Sequence, residues 1–243
     1  MDKMIYTAAQ GASRILQSQA IRANNLANAD TQGFRADLER VAALPVEVTQ
    51  GSFASRILPQ TQIAGFNSQH GEMMTTGRPL DLAIKGDGYF TVQTPEGEAY
   101  TRNGAISENA NGELLVNGFP LMSTNGPMVL PQYSDLIVSE DGRLSVIAEQ
   151  GGLIEEVGQL KLVNAAQTEL HKGADGLFYA NNGEAQVSEQ VRVASGALES
   201  SNVDAVGELL ASMDLGRQFE VQIKLMKSAE KLAEAGNRLL RDA

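Results

Sequence analysis

The residues that do chemistry in most enzymes are scarce and scattered here. The chain holds two histidines, His70 and His171, and neither cysteine nor tryptophan. Neither histidine has another histidine or a carboxylate at a ligand spacing, so each reads as an isolated side chain and not as half of a metal site. Without cysteine there is no disulfide framework, no thiolate zinc site and no thiol nucleophile. Ser228-Ala229-Glu230-Lys231 has the Ser-x-x-Lys order of penicillin-recognising enzymes, but the Ser-Asp-Asn and Lys-Thr-Gly elements that complete that machinery are missing. The stretch "KGDGYF" (85–90) has glycines where a phosphate loop would, yet lacks the Gly-x-Gly-x-x-Gly spacing and a following helix, and a tight β-turn accounts for it. Glu155-Glu156 and Glu140-Asp141 supply paired carboxylates of the kind glycoside hydrolysis uses. With five Tyr, seven Phe and no Trp, the aromatic platforms that stack on sugars are few, and these acids read as solvated turn residues. The expectation is no enzyme, with no catalytic residue, cofactor or metal.

The elements around these residues say more. All seven prolines lie between Pro45 and Pro131, so the two ends are free to form long helices and the middle is not. In residues 3–28 Ile5, Ala8, Ala12 and Ile15 share one seam, which Leu16, Ala20, Ala23 and Ala27 continue one residue over: a narrow, small-residue face suited to close helix–helix approach. Ser201 or Asn202 is placed to cap a C-terminal helix. In that helix Val206, Leu210 and Met213 lead into Phe219, Ile223, Met226, Ala229, Ala233, Gly236 and Leu240 at nearly heptad spacing. Such a helix is about 57 Å long, more than a small domain spans, so part of it must pack outside its own domain. Between the ends, runs such as "DLAIKGDGYFTVQTPEGEAYTRNGAI", "ENANGELLVNGFPLM" and "LIVSEDGRLSVI" alternate strand and turn, with Asn-Gly and Asp-Gly at the turns.

The expected fold class is therefore α+β: a mainly-β domain inserted between long N- and C-terminal α-helices that pair as a coiled-coil-like assembly segment. Its parts are an assembly helix and motif at 1–35, an extended connector at 36–79, a β domain at 80–197 and a second assembly helix at 198–243. The net charge of −11 sits in the middle, because residues 1–35 carry +2 and residues 197–243 carry −2. An acidic middle lacks the basic stripe that nucleic acid requires. No apolar run approaches the roughly 18 residues of a membrane span, and "MDKMIYTAAQGASRILQSQA" has no uninterrupted apolar region for a cleavable signal peptide.

Three blocks then point to a family. "NNLANADTQGFR" resembles the motif Asn-x-x-Asn-x-x-Thr-x-Gly-Phe-Lys/Arg of axial flagellar proteins. "TGRPLDLAIKGDGYFTVQ" with "EAYTRNGAI" resembles the core signature of rod and hook proteins, and "SGALESSNVDAVGELLASMDLGRQFEVQIK" resembles their C-terminal helix. The resemblance to the flagellar basal-body rod and hook protein family covers nearly the whole chain, and its length and opening residues favour the proximal-rod type, with the distal-rod type as the alternative. A peptidoglycan-acting enzyme is the rival class, suggested only by the compartment. The resemblance implies a structural subunit exported without cleavage by the flagellar type III apparatus and assembled in the periplasm with other rod proteins and copies of itself. It also implies that the terminal helices form the inner tube.

The residues expected to make that assembly are Asn25, Leu26, Asn28, Thr31, Gly33 and Phe34 at the first helix end, and Leu210, Met213, Phe219, Ile223 and Met226 on the second helix. Asn25, Asn28 and Thr31 can satisfy backbone groups where the helix stops, and Gly33 permits a turn with φ > 0. Phe34 then anchors the chain on a neighbouring surface; the alternative is that the turn is only a C-cap inside one molecule, and both can hold, since the same turn can cap locally and dock on a neighbour.

Overall fold

The computed structural model describes residues 2–45, 57–148 and 152–241. Its order is a long helix, a mostly-β middle and a second long helix, and the chain divides into two compact units. The first gathers Met1–Ala27, Asp37–Ala64 and Asp204–Ala243; the second gathers Asn28–Ala36 and Gly65–Val203.

In the first unit, helix α1 (Asp2–Ala27) lies against helix α2 (Ala205–Arg241), and strands β1 (Asp37–Pro45) and β2 (Ile57–Phe66) pair as a two-stranded sheet, of which residues 57–64 belong to this unit. The helices run antiparallel, since Arg22 reaches Glu208 while Gly11 faces Gln222. The first half of α1 buries the expected seam: Ala8, Ala12 and Ile15 are all buried. Its second half does not continue on Leu16, Ala20, Ala23 and Ala27, which are exposed; the seam passes instead to Ser18, Arg22 and Asn25. The reason is what faces them. Glu39 of β1 and Glu208 of α2 bring carboxylates to this end, so the positions that meet them must donate hydrogen bonds. Ser18 Oγ donates to Glu39 Oε1 at 2.5 Å, and Arg22 lies 3.2 Å from Glu208 and 3.7 Å from Glu39.

The second unit carries the β strands that cover the expected β domain. Strand β3 (Met73–Thr75) pairs with Ala197–Glu199, and strand β4 (Leu82–Lys85) pairs with Arg192–Ser195. Strands β5 (Tyr89–Thr94) and β6 (Gly97–Thr101) form a hairpin at the centre of a five-stranded antiparallel sheet, in the order Leu162–Val163, β5, β6, Phe178–Ala180, Leu170–Lys172. Alternation along β5 feeds two cores. Phe90 and Val92 enter the larger one with Leu82, Leu114 and Leu144, while Tyr89 joins Phe66, Tyr100 and Phe178 in the smaller one. A strand buried on both faces reads as a nearly continuous apolar run, as "YFTV" does. Tight turns fall where the dipeptides place them: Asn117-Gly118 (φ 52° and 84°) joins Leu114–Val116 to Phe119–Pro120, the paired positive φ values of a twisted hairpin.

The expected cap at Ser201 or Asn202 is not where α2 begins. The helix starts at Ala205, directly after Asp204, whose carboxylate lies against Gly207 of the first turn. Asn202 is engaged elsewhere: its Oδ1 accepts from Ala36 N at 2.8 Å and its Nδ2 donates to the carbonyls of Asn67 and Gln69.

Candidate assembly site

The first site is the junction at the end of α1. Asn25 is 0% exposed and uses its whole amide: Nδ2 donates to Asp37 O (3.1 Å) and Glu208 Oε1 (3.1 Å), and Oδ1 accepts from Asp37 N (2.8 Å). One side chain thus ties α1 to the start of β1 and to the first turn of α2. Asn24 adds a bond to Asp37 Oδ2 at 2.8 Å. Leu26 and Asn28 are half-buried and Thr31 is exposed, its hydroxyl donating to Asn28 Oδ1 at 3.1 Å.

The second site is held within the β unit. Gly33 adopts φ 68°, the left-handed conformation expected of it, and its N–H donates to Glu199 O. A Cβ there would stand 2.3 Å from the carbonyl carbon of Arg102 and 2.4 Å from Asn103 N, so close approach of backbone to backbone requires glycine as much as φ does. Phe34 is 8% exposed and lies beneath Lys172, whose Nζ is 3.6 Å from the ring centroid, a cation–π contact, and also donates to Arg35 O. Its ring is therefore covered by its own chain. The next residue, Arg35, is buried and pairs with Glu199 Oε1 at 2.7 Å, while Arg102 grips Glu199 Oε2 through Nε at 2.7 Å and Nη2 at 2.5 Å. Burial pulls the Arg35 pKa down, Glu199 pushes it back up and Arg102 lowers it further. His70 Nδ1 lies 3.1 Å from Arg35 Nη2 and 3.3 Å from Arg102 Nη2. Guanidinium nitrogens only donate, so Nδ1 is the acceptor and the ring proton sits on Nε2, 3.3 Å from Asp87 Oδ1.

The third site is the outer face of α2. Glu208, Ser212, Leu215, Phe219, Gln222, Met226, Ala229 and Ala233, spaced three and four apart, are buried or half-buried, with Ile223 at the flank. On the opposite face Val206, Leu210, Met213, Val221, Leu225 and Leu232 are 45–69% exposed. Of the expected residues, Phe219, Ile223 and Met226 therefore belong to the partly covered side and Leu210 and Met213 to the open one. Among the described residues this apolar stripe stays open, and it is the kind of surface a protein partner covers.

Sequence reasoning missed Ser18 and Arg22 on the seam and the Glu199–Arg102 pair. Polar residues on a helix seam and charges separated by 97 or more positions leave no periodic trace. Among the described residues no group of three His, Cys, Asp or Glu stands together as a metal site, and no helix is long and apolar enough to cross a membrane. Glu155 and Glu156 lie exposed on the strand Ile154–Gln159, and Ser228 and Lys231 are exposed on α2.

Terminal helices packed on one another, with a β insert stapled together by the residues that follow the first helix and precede the second, define a helix–β–helix class of chain. Three family profiles match it: "Flagella basal body rod protein" at residues 5–35, "Flagellar hook protein FlgE/F/G D1 domain" at 83–146 and "Flagellar basal body rod FlgEFG protein C-terminal" at 194–239. The chain belongs to the flagellar basal-body rod protein family. It is 39% identical over 250 residues to the flagellar basal-body rod protein FlgF of Escherichia coli and 37% identical over 250 residues to FlgF of Salmonella typhimurium, covering 99% of each chain in both cases. It is also 30% identical over 257 residues to the rod protein FlgG of Caulobacter vibrioides, covering 96% of this chain and 97% of that one.

Proposed function

We propose that this chain is a non-enzymatic structural subunit of the bacterial flagellar basal-body rod, of the proximal type, and that it assembles through its terminal helices with copies of itself and with other rod proteins. The observation that carries the reading is the open apolar face of α2, where Leu210 and Met213 are 57% and 55% exposed while the half-buried residues of the same helix turn the other way. The seam of α1 and α2 serves as a coiled-coil-like pair that presents this face. The junction around Asn25, Leu26, Asn28 and Thr31 fixes where the chain leaves the helix. The subunit reaches the periplasmic rod through the flagellar type III export apparatus without a cleaved signal peptide. The identities to FlgF proteins, 39% and 37%, support the proximal over the distal type.

The test is a chain carrying Leu210→Glu and Met213→Glu, supplied to a strain that lacks the native copy. The expected result is a soluble, exported protein whose β unit melts as the unaltered chain does, together with loss of swimming and of the subunit from isolated basal bodies. Normal swimming with both glutamates in place would remove the face from the assembly.

A further inference from the structure

Arg35 and Arg102 share a single buried carboxylate. Their side chains and that of Glu199 are each 2% exposed, so two guanidinium charges meet one carboxylate away from water. One formal positive charge is left over in the interior; the carbonyls of Gln69, Ile84, Gly86 and Gly88 accept hydrogen bonds from the pair but carry no counter-charge. Asp87 contributes little to the balance, since its side chain is 81% exposed and its charge is screened by solvent. A cleft of about 480 Å³ opens onto this pair, lined by Arg35, Arg102, His70, Asp87, Tyr89 and Gln167 among others. That volume lies within the range of small-molecule sites. The Tyr89 phenol, its pKa raised by burial against the lowering pull of Arg102 and Arg35, stays protonated as a donor on the wall.

We propose that this cleft binds a carboxylate, which enters beside Arg35 and Arg102 and replaces His70 Nδ1 as the acceptor for their Nη2 groups. The forks of both guanidinium groups are already held by Glu199 and backbone carbonyls, so the carboxylate accepts one Nη2 bond from each arginine, and a charged acceptor makes those bonds stronger than an imidazole nitrogen does. The His70 side chain is 44% exposed and its Nδ1 stands beside both Nη2 groups, so it acts as a placeholder at the mouth. The same chemistry is offered by a free dicarboxylate and by a glutamate side chain of a peptide, and the two are separable by experiment.

The full-length chain is titrated with succinate and, separately, with the blocked peptide acetyl-Gly-Glu-Gly-amide, at constant ionic strength with sodium chloride as reference, and amide chemical shifts are followed by NMR. The expected result is a saturable shift at Ser68, His70, Gly88 and Gln167 with at least one probe; saturation by the peptide alone assigns the site to a side chain, and saturation by succinate to a free anion. His70→Ala, which removes the placeholder from an exposed position, is expected to tighten binding about tenfold, by leaving donors that the anion then satisfies. His70→Glu is expected to abolish the titration by supplying the carboxylate in place. Shifts no larger than those from sodium chloride with both probes, or unchanged affinity in His70→Ala, would overturn the proposal.

Discussion

Asn25 holds Asp37 by both of its backbone polar groups, accepting from Asp37 N at 2.8 Å and donating to Asp37 O at 3.1 Å. A side-chain amide is here the hydrogen-bonding partner that a neighbouring strand would otherwise be for β1. The remaining hydrogen of the same amide goes to Glu208, so no polar group of Asn25 is left over.

Replacing Asn25 by alanine strands a buried N–H and a buried C=O at once. Each costs about 1–3 kcal/mol when left unpaired, so Asn25→Ala is expected to weaken the helical unit by about 2–4 kcal/mol. The check is hydrogen exchange of α1 and β1 amides, which should accelerate by two orders of magnitude or so. Asn24→Ala, at an exposed position, loses the bond to Asp37 Oδ2 and should cost less than Asn25→Ala. Equal protection loss in both variants would mean that Asn25 is not the clamp.

Gly33→Val is expected to unfold the β unit, and not merely to spoil a contact with a neighbour. The new Cβ would fall 2.3 Å from backbone of the same unit at a residue with φ 68°, and neither the Arg102 carbonyl nor Asn103 N can retreat without opening the turn behind β6. The loss should exceed about 4 kcal/mol, the range reserved for steric overlap in a core. Thermal melting of the purified chain decides it. A β transition preserved within a few degrees would show that the turn yields.

These two positions also mark what is legible in the sequence. Gly33 announces itself, because a glycine after a helix end beside Asn and Thr needs no tertiary knowledge to be read as a left-handed turn. The helix–β–helix order follows from proline placement and periodicity in the same way. Asn25 is recognisable as unusual but not as a clamp, because its partners Asp37 and Glu208 are set by tertiary packing. Arg35, Arg102 and Glu199 are less visible still. Isolated charges read as surface residues, and only the fold brings the three together in the interior. The seam of α1 misleads for a related reason: alanine at Ala20, Ala23 and Ala27 looks like an interface by pattern, yet the carboxylates Glu39 and Glu208 select Ser18, Arg22 and Asn25.

Thr91→Val should stabilise the β unit. Thr91 is 0% exposed in the centre of β5, and its hydroxyl has no hydrogen-bond partner among the described residues. Valine keeps the β-branched shape and removes an unpaired polar group, a change worth about 1 kcal/mol in favour of the folded state. Denaturant melts should move to higher midpoint with unchanged slope. A lower midpoint would mean that the hydroxyl has found a partner.

Stability should be flat through neutral pH and fall in alkali. Burial raises the pKa of Tyr89 and Tyr100. Lys161 is also raised: desolvation opposes this, but the 2.5 Å bond to Glu98, the charge of Glu98 and that of Glu184 prevail. In all three the folded chain holds its proton more firmly than the unfolded chain does. Their contribution is therefore complete below the ordinary tyrosine and lysine values of about 10 and 10.4, and it is lost as pH rises through the higher folded values. Urea melts from pH 7 to 11 should show a plateau followed by a decline that begins near pH 10. Tyr133 and Tyr179 are raised as well and add to the same decline; Tyr89→Phe removes one of these groups and should make the decline shallower, while Glu98→Gln should lower the plateau and flatten the lysine part of the decline. A stability that rises above pH 10 would show that these groups bind protons less tightly in the folded chain, contrary to the burial of both phenols and the Glu98 pairing of Lys161.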